Sequence, residues 1–291
     1  MPVYNAADYL HEAVESIINQ SFTDFEFIII DDGSTDNSLE ILKSFAARDS
    51  RIKLVSRENR GIVVTRNELL DLARAEYFAI MDSDDISFPT RLGSQYEFLT
   101  TYPEHVIVGC RDMLIDPEGL AIKVINELSN HEDVDNANLN FDEFQTLNAY
   151  MAKTKEVKTV GSYRPEIIYA EDRDLFLRMA EIGRVKVLPE VLYGYRQHYT
   201  NTCVLKYKEI AGNVLKVVQD AYMRRNRKFT AAPQAVESSP VDRVQQYKIW
   251  AWWALNAKHI KTARKYGRRV IFNKPFNWSS WHLLLCTLRG Y

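Results

Sequence analysis

The stretch Phe25-Glu26-Phe27-Ile28-Ile29-Ile30-Asp31-Asp32-Gly33-Ser34-Thr35-Asp36 decides the fold. Its first half is a short apolar run of Ile and Phe, the pattern of a strand buried on both faces. Its second half breaks into acids, Gly and Ser, which favour turns. The same order recurs where Tyr77 to Met81 runs into Asp82-Ser83-Asp84-Asp85. Outward from these stretches, helical and strand patterns alternate from residue 8 to about 110. Leu10, Ala13, Val14, Ile17 and Ile18 share a helical face, as do Leu39, Leu42, Phe45 and Ala46, and then Ile62, Leu69, Leu70 and Ala73. Ile52 to Val55 is strand-like, and Val106 to Cys110 and Leu120 to Ile125 flank a turn at Asp116-Pro117-Glu118-Gly119. This alternation predicts an α/β fold with a parallel sheet and crossover helices.

Both acid clusters follow the carboxyl ends of strands, the edge at which open α/β sheets bind ligands. Clustered carboxylates repel one another and repel phosphate, so a divalent cation among them makes chemical sense of the pattern, and oxygen ligands select Mg²⁺ or Mn²⁺. Neither a Walker A sequence nor a GxGxxG fingerprint occurs, which excludes P-loop and dinucleotide sites. The competing reading is structural: the acids are turn residues, and Asp36 or Asp85 caps a following helix. Glu171-Asp172 opens a helix carrying Leu175, Phe176, Met179 and Ile182, with Asp172 as its cap or as a catalytic base. Strand-like Val185 to Leu188 and Val191 to Arg196 lead into Arg196-Gln197-His198, which offers a phosphate contact and a metal or phosphate ligand.

Of 291 residues, 46% are apolar and 26% charged, which excludes disorder for most of the chain. Cys110, Cys203 and Cys286 are widely spaced, so neither disulfide stapling nor structural zinc is expected. No apolar run is long enough to span a bilayer, and no basic segment precedes an apolar one at the N-terminus. A cytoplasmic protein is the expectation. Asn126 to Asn140 is polar with little periodicity and reads as a mobile loop, and residues 230–240 read as a linker.

Taken together, Pro2-Val3-Tyr4-Asn5, Ile30 to Asp36, Asn59-Arg60-Gly61 with Thr65-Arg66-Asn67, Met81 to Asp85 and Ala170 to Asp174 resemble, in order, the motifs of the family 2 glycosyltransferases. The resemblance covers about residues 1 to 200. It implies a GT-A type, Rossmann-like nucleotide-sugar-binding sheet and inverting transfer from a UDP-sugar with Mg²⁺ or Mn²⁺. It places Pro2 and Tyr4 beside the base, Asp32 or Asp31 on uracil, and Arg66 near the diphosphate. Asp82 and Asp84 match the DxD element, the first acid toward the ribose and the second on the metal, with Asp85 in support. Asp172 matches the base that deprotonates the acceptor hydroxyl, and His198 a position used near metal and diphosphate. Three departures stand out. The strand that normally precedes Pro2 is absent, which leads to the expectation that the natural start lies upstream of Met1. Phe144 to Tyr150 replaces a His-Pro-Ser-like acceptor motif. The Gln-x-x-Arg-Trp element of processive synthases is missing, which points to transfer of a single sugar; the resemblance implies a saccharide or lipid-linked acceptor and bacterial envelope polysaccharide assembly. A nucleotide-sugar-binding protein without turnover and a metal-dependent nucleotidyltransferase are the other readings.

The chain is expected to divide into a transferase domain, residues 1–204, and a helical C-terminal appendage, residues 205–291. Residues 243–291 hold ten of the 37 Lys and Arg, none of the 39 Asp and Glu, and all five Trp. The tryptophans either fill a core of their own or, with Leu283-Leu284-Leu285, meet an anionic membrane whose headgroups face Lys258, Lys261, Arg264, Lys265, Arg268 and Arg269. No nucleic-acid module is recognisable, and the inner face of the cytoplasmic membrane is the expected place of contact.

Overall fold

The apolar run that decides the fold is a strand, Phe27–Asp31, buried at every position. The computed structural model describes residues 1–140, 149–229 and 242–290. In chain order the first elements are β1 (Pro2–Val3), α1 (Ala7–Ile18), β2 (Phe27–Asp31), α2 (Ser38–Ala46), β3 (Ile52–Ser56), α3 (Ile62–Leu72), β4 (Tyr77–Ala79), β5 (Ile86–Ser87), α4 (Arg91–Thr101), β6 (His105–Ile115) and β7 (Ala121–Ile125). There follow α5 (His131–Asn140), β8 (Met151–Lys153), α6 (Thr154–Thr159), α7 (Glu171–Met179), β9 (Arg184–Arg196), α8 (Thr202–Leu205), α9 (Tyr207–Arg224), α10 (Arg243–Asn256), α11 (Ile260–Asn273) and α12 (Trp278–Arg289).

Strands β1, β2 and β3 form a parallel sheet. A larger sheet runs β4-β8-β6-β9-β5, with β7 paired to β6. The predicted parallel pairing holds in the first sheet and between β6 and β9, whereas β5, β7 and β8 are antiparallel to their neighbours. Because β8 is antiparallel to both β4 and β6, strands β4, β6 and β9 point one way. The acids after β4 and His198 after β9 therefore share an edge. Between β2 and β4 lies a cavity of about 800 Å³, lined by Phe22, Phe27, Ile28, Leu69, Tyr77 and Met81. Met1 borders it, and its amino group donates to the Ile28 carbonyl at 2.7 Å.

Helix α1 forms because Leu10, Ala13, Val14 and Ile17 recur at three- and four-residue spacing, and this stripe is buried. Residues 131–140 are helical rather than the expected loop. Asn130 Oδ1 accepts the Asp133 N–H at 2.9 Å, Glu132 and Asp133 suit the positive helix start, and Val134, Ala137 and Leu139 are buried. Ile182 lies beyond the end of α7 and is exposed, so it is not part of that helix's buried face. The expected linker at 230–240 lies outside the described residues, as does most of the Phe144 to Tyr150 segment.

Helix α9 contributes Val217, Val218 and Ala221 to the core cluster that holds Leu175, Phe176 and Met179 of α7. Helices α10 to α12 close over β6 and β7: Trp250, Ala251, Tyr266, Val270 and Leu283 pack with Leu114 and Ile122. A polar anchor fixes this contact. Buried Asp116 accepts the N–H groups of Glu118 and Leu120, each at 2.9 Å, and thereby shapes the predicted turn. Its other oxygen accepts the Tyr266 hydroxyl at 2.9 Å and pairs with the Lys265 ammonium.

Candidate active site

The turn after β2 and the segment before α1 are bonded together. The N-cap residue of α1, Ala6, has no side-chain acceptor, so the acceptors come from the other segment. Ser34 Oγ accepts the Asn5 N–H at 3.0 Å, Ser38 Oγ the Ala6 N–H at 2.9 Å, and Asp36 Oδ2 the Ala7 N–H at 3.0 Å. In return Asn5 Oδ1 accepts the Thr35 N–H at 2.7 Å. Asp36 also accepts the Ser38 N–H at 2.9 Å, so it serves the starts of both α1 and α2. Gly33 is required in this turn: its φ is +77°, and a Cβ there would lie 2.7 Å from the Asn59 nitrogen.

Asp31 and Asp32 are buried and bonded within the protein. Asp31 accepts the Ser56 hydroxyl at 2.9 Å and, more weakly, the Ser34 N–H at 3.3 Å. Asp32 accepts the N–H groups of Arg60 and Gly61 at 2.8 and 2.9 Å and pairs with Arg57, which organises the Asn59-Arg60-Gly61 loop. One lone-pair direction remains on Asp32 Oδ2. Tyr4 is 53% exposed at the mouth of this loop pair.

At the neighbouring edge, His198 Nε2 lies 2.9 Å from Asp84 Oδ2, and its Nδ1 lies 2.7 Å from Thr200 Oγ1. The imidazole packs against Tyr9, with ring centres 4.9 Å apart. Asp85 precedes β5 rather than a helix and is not a cap; its Oδ1 accepts the Arg196 N–H at 2.7 Å. Burial pushes the Asp85 pKa well up, and the Asp84 and Asp82 charges add to the rise. Arg196 is fully buried, which corrects its reading as a phosphate contact. Its guanidinium donates to the carbonyls of Asp84 at 2.7 Å and Pro117 at 3.0 Å, and to Glu12 Oε2 at 2.6 Å. It braces the acid loop from behind and ties that loop to the turn held by Lys265 and Tyr266.

Arg66, almost fully buried on α3, faces three carboxylates. It pairs with Asp172, lies 3.1 Å from Glu171 Oε1, and donates to Asp82 Oδ1 at 3.2 Å. Asp172 is therefore held by an arginine rather than spent as a cap; the N-cap of α7 is Ala170, with no side-chain bond. One guanidinium is thus shared by three carboxylates. Burial pushes Asp82 up to about 6, restrained by Arg66 and reinforced by Asp84 and Asp172. Glu171 rises to about 7 through burial, again against Arg66 and with Asp172 adding.

A divalent cation fits this donor set. Asp84 and His198 can supply two ligands at one point, negative charge is in excess, and buried Asp85 Oδ2 has no hydrogen-bond partner. Among the described residues no group of three or more His, Cys, Asp or Glu could hold a metal, so these side chains alone do not close a cation's shell. The structure thus brings together Asp82, Asp84, Arg66, Asp172 and His198, with Pro2 in β1, Asp31 at the end of β2, and Tyr4 and Asp32 just after those strands. Sequence reasoning missed Tyr9, Glu12, Arg57 and Glu171. Each acts through a partner remote in sequence, except that Glu171 stood beside Asp172 in a recognised motif.

The family model for glycosyl transferase family 2 matches residues 1–155. The putative glycosyltransferase EpsE of Bacillus subtilis is 34% identical over 202 residues, covering 68% of this chain and 71% of that one. Escherichia coli chondroitin synthase is 28% identical over 260 residues, covering 87% of this chain and 35% of its own. The chain thus spans about a third of that synthase. In structure, S. aureus TarS in complex with UDP matches with a TM-score of 0.57 at 16% identity, covering 100% of this chain and 87% of that one. The Pyrobaculum calidifontis mannosyltransferase PcManGT, in complex with GDP-Man and Mn²⁺, matches with a TM-score of 0.57 at 17% identity, covering 99% of this chain and 83% of that one. The fold is of the GT-A type. The chain belongs to glycosyl transferase family 2, and it is a glycosyltransferase.

Proposed function

We propose that the protein moves a single sugar, with inversion, from a UDP-sugar to a saccharide or lipid-linked acceptor, in a metal-dependent reaction of bacterial envelope polysaccharide or lipopolysaccharide assembly. The transferred group is a hexose or N-acetylhexosamine. The observation that carries this reading is the convergence, on one sheet edge, of the Asp84–His198 pair with the string Asp82–Arg66–Asp172. The UDP and the GDP-Man with Mn²⁺ in the structures of TarS and PcManGT support a nucleotide-sugar donor and a metal. Residues 1–204 form the transferase domain in this reading, with α9 docked on it and the remaining helices working at the inner face of the cytoplasmic membrane.

Pro2 and Tyr4 flank the base, the exposed Tyr4 ring stacking on it, and Asp32 accepts a base N–H through its free lone pair while Asp31 fixes the turn. Asp82 faces the ribose. Asp84 and His198 hold the cation. When bound, the cation neutralises the charge that develops on the leaving diphosphate. Asp172 accepts the acceptor hydroxyl proton as that oxygen attacks the anomeric carbon and the bond from that carbon to the diphosphate oxygen breaks on the opposite face. Arg66 holds Asp172 in place, and it regains a net positive influence on the departing diphosphate once Asp172 is protonated. Hydrolysis of a panel of UDP-sugars with Mn²⁺, where water stands in for the unidentified acceptor, tests the reading. Metal-dependent UDP release with inverted sugar, seen by NMR of the first-formed anomer, is expected. Tight UDP binding without release from any donor would instead favour a binding protein without turnover.

A further inference from the structure

The unit α10–α12 carries two exposed stripes that the transfer chemistry does not use. On α11, Lys261, Arg264, Arg268 and Phe272 recur at three- and four-residue spacing, so they share a face, and all are exposed. On α12, Trp278, Trp281, Leu285 and Leu288 do the same, while Leu283 points into the core. The turn between the helices joins the stripes. Phe276 is fully exposed there, flanked by Phe272 at 88% and Trp278 at 81%. The indole N–H of Trp281 donates to the Pro275 carbonyl at 2.7 Å and fixes the turn in this shape. Three aromatic rings on one turn, continuous with an aliphatic stripe, are more than the scattered apolar residues of an ordinary surface.

The structure also sorts the tail's charges and its tryptophans. Trp250 and Leu283 fill the unit's core, so neither is available to a membrane. Lys265 is spent on Asp116 and Glu118, and Arg269 on Glu118. Arg264 donates to the carbonyls of Thr287 and Leu288. Lys258, Lys261 and Arg268 have no acidic partner among the described residues.

We infer that this surface seats the protein on an anionic lipid bilayer, with Phe272, Phe276 and Trp278 entering the headgroup layer and Lys261 and Arg268 facing lipid phosphates. Aromatic rings favour that layer, and basic residues beside it add attraction to anionic lipid. A second copy of the chain is disfavoured as the occupant, because a symmetric contact would oppose two surfaces of the same sign. A nucleic acid would use the cations but leave Leu285 and Leu288 in water. The inference rests on the membrane contact in the reading above, to which it assigns the residues and the lipid class, and it stands without the donor and metal parts of that reading.

Vesicle flotation of the full chain tests it, using phosphatidylcholine vesicles with and without phosphatidylglycerol at low and high salt, alongside Phe276→Ser/Trp278→Ser and Lys261→Gln/Arg268→Gln. All four positions are exposed, and an unchanged melting temperature shows that each variant is folded. The chain floats with anionic vesicles and releases in high salt. The charge variant binds them about 30-fold more weakly, the aromatic variant at least about tenfold more weakly, and brominated lipid quenches tryptophan fluorescence in the parent but not in the aromatic variant. The inference is overturned if the parent does not float, if both variants float as well as the parent, if light scattering shows a dimer that the aromatic variant abolishes without vesicle binding, or if the chain binds an oligonucleotide and no vesicle.

Discussion

At the sheet edge a single buried arginine, Arg66, faces Asp82, Glu171 and Asp172, whereas against the helical unit two acids, Asp116 and Glu118, serve Lys265, Arg269 and Tyr266. In each region the scarce charge sets the geometry and the surplus is left over. At the edge, burial together with the surplus of negative charge pushes Asp82, Asp85 and Glu171 up, and in the proposed function a cation gathers the acids around a diphosphate. On the helices the surplus is positive and exposed, where it costs little and is free to meet a partner. Arg196 joins the two regions, with one donor on the Asp84 carbonyl and another on the Pro117 carbonyl of the turn that the helices grip.

The sharpest way to break this comparison is at the proposed base, Asp172. Asp172→Asn keeps the size of the side chain but cannot take a proton, and turnover is expected to fall by about 10²- to 10⁴-fold with UDP affinity nearly unchanged. Equal losses in rate and affinity would assign Asp172 to the donor instead. Arg66→Met removes the cation that pairs with Asp82, Glu171 and Asp172 and leaves these acids without it. Urea unfolding should then show a loss of about 3–5 kcal/mol. On the other side, Lys265→Met leaves Asp116 with Tyr266 and two backbone N–H groups, so a loss of about 1–2 kcal/mol is expected.

A pH series sharpens the electrostatics. Glu171 has a folded pKa of about 7, raised above its ordinary value. A carboxyl with a raised folded pKa favours folding while it is protonated, and that contribution is lost as pH climbs from the ordinary carboxylate range through about 7. Relative to Glu171→Gln, the parent should therefore lose stability between pH 4.5 and 7.5, measured by denaturation at matched ionic strength in the absence of metal. A flat difference across that window would remove Glu171 from the account.

Most of the α/β core was legible because strands and acids alternate in the clear pattern of Phe27 to Asp36 and Tyr77 to Asp85. The site's acids were legible for the same reason, since each follows a strand end or opens a helix. What sequence could not show was who holds whom. Asp172 read as a cap or as a base, and nothing local reveals that Arg66 pairs with its carboxylate. Arg196 looked like a ligand for phosphate because nothing local reveals that Glu12 and the Asp84 and Pro117 carbonyls surround it. Residues 131–140 were taken for a loop because their apolar side chains are few, yet a cap at Asn130 and three buried contacts are enough for a helix. In the tail, composition showed the surplus of cations and tryptophans but not its division between core and surface. Trp250 and Trp278 are indistinguishable by type and opposite in burial.

The central claim is that Asp84 and His198 gather a cation and a nucleoside diphosphate at the sheet edge. Thermal unfolding of the parent and of Asp84→Ala with UDP, each with and without Mn²⁺, tests it most directly, because a ligand bound only to the native state must stabilise it. The account predicts that UDP with Mn²⁺ raises the melting temperature of the parent, that UDP alone does so much less, and that Asp84→Ala loses the metal-dependent part. A parent that gains nothing from UDP with Mn²⁺, or an Asp84→Ala variant that gains as much as the parent, would contradict it.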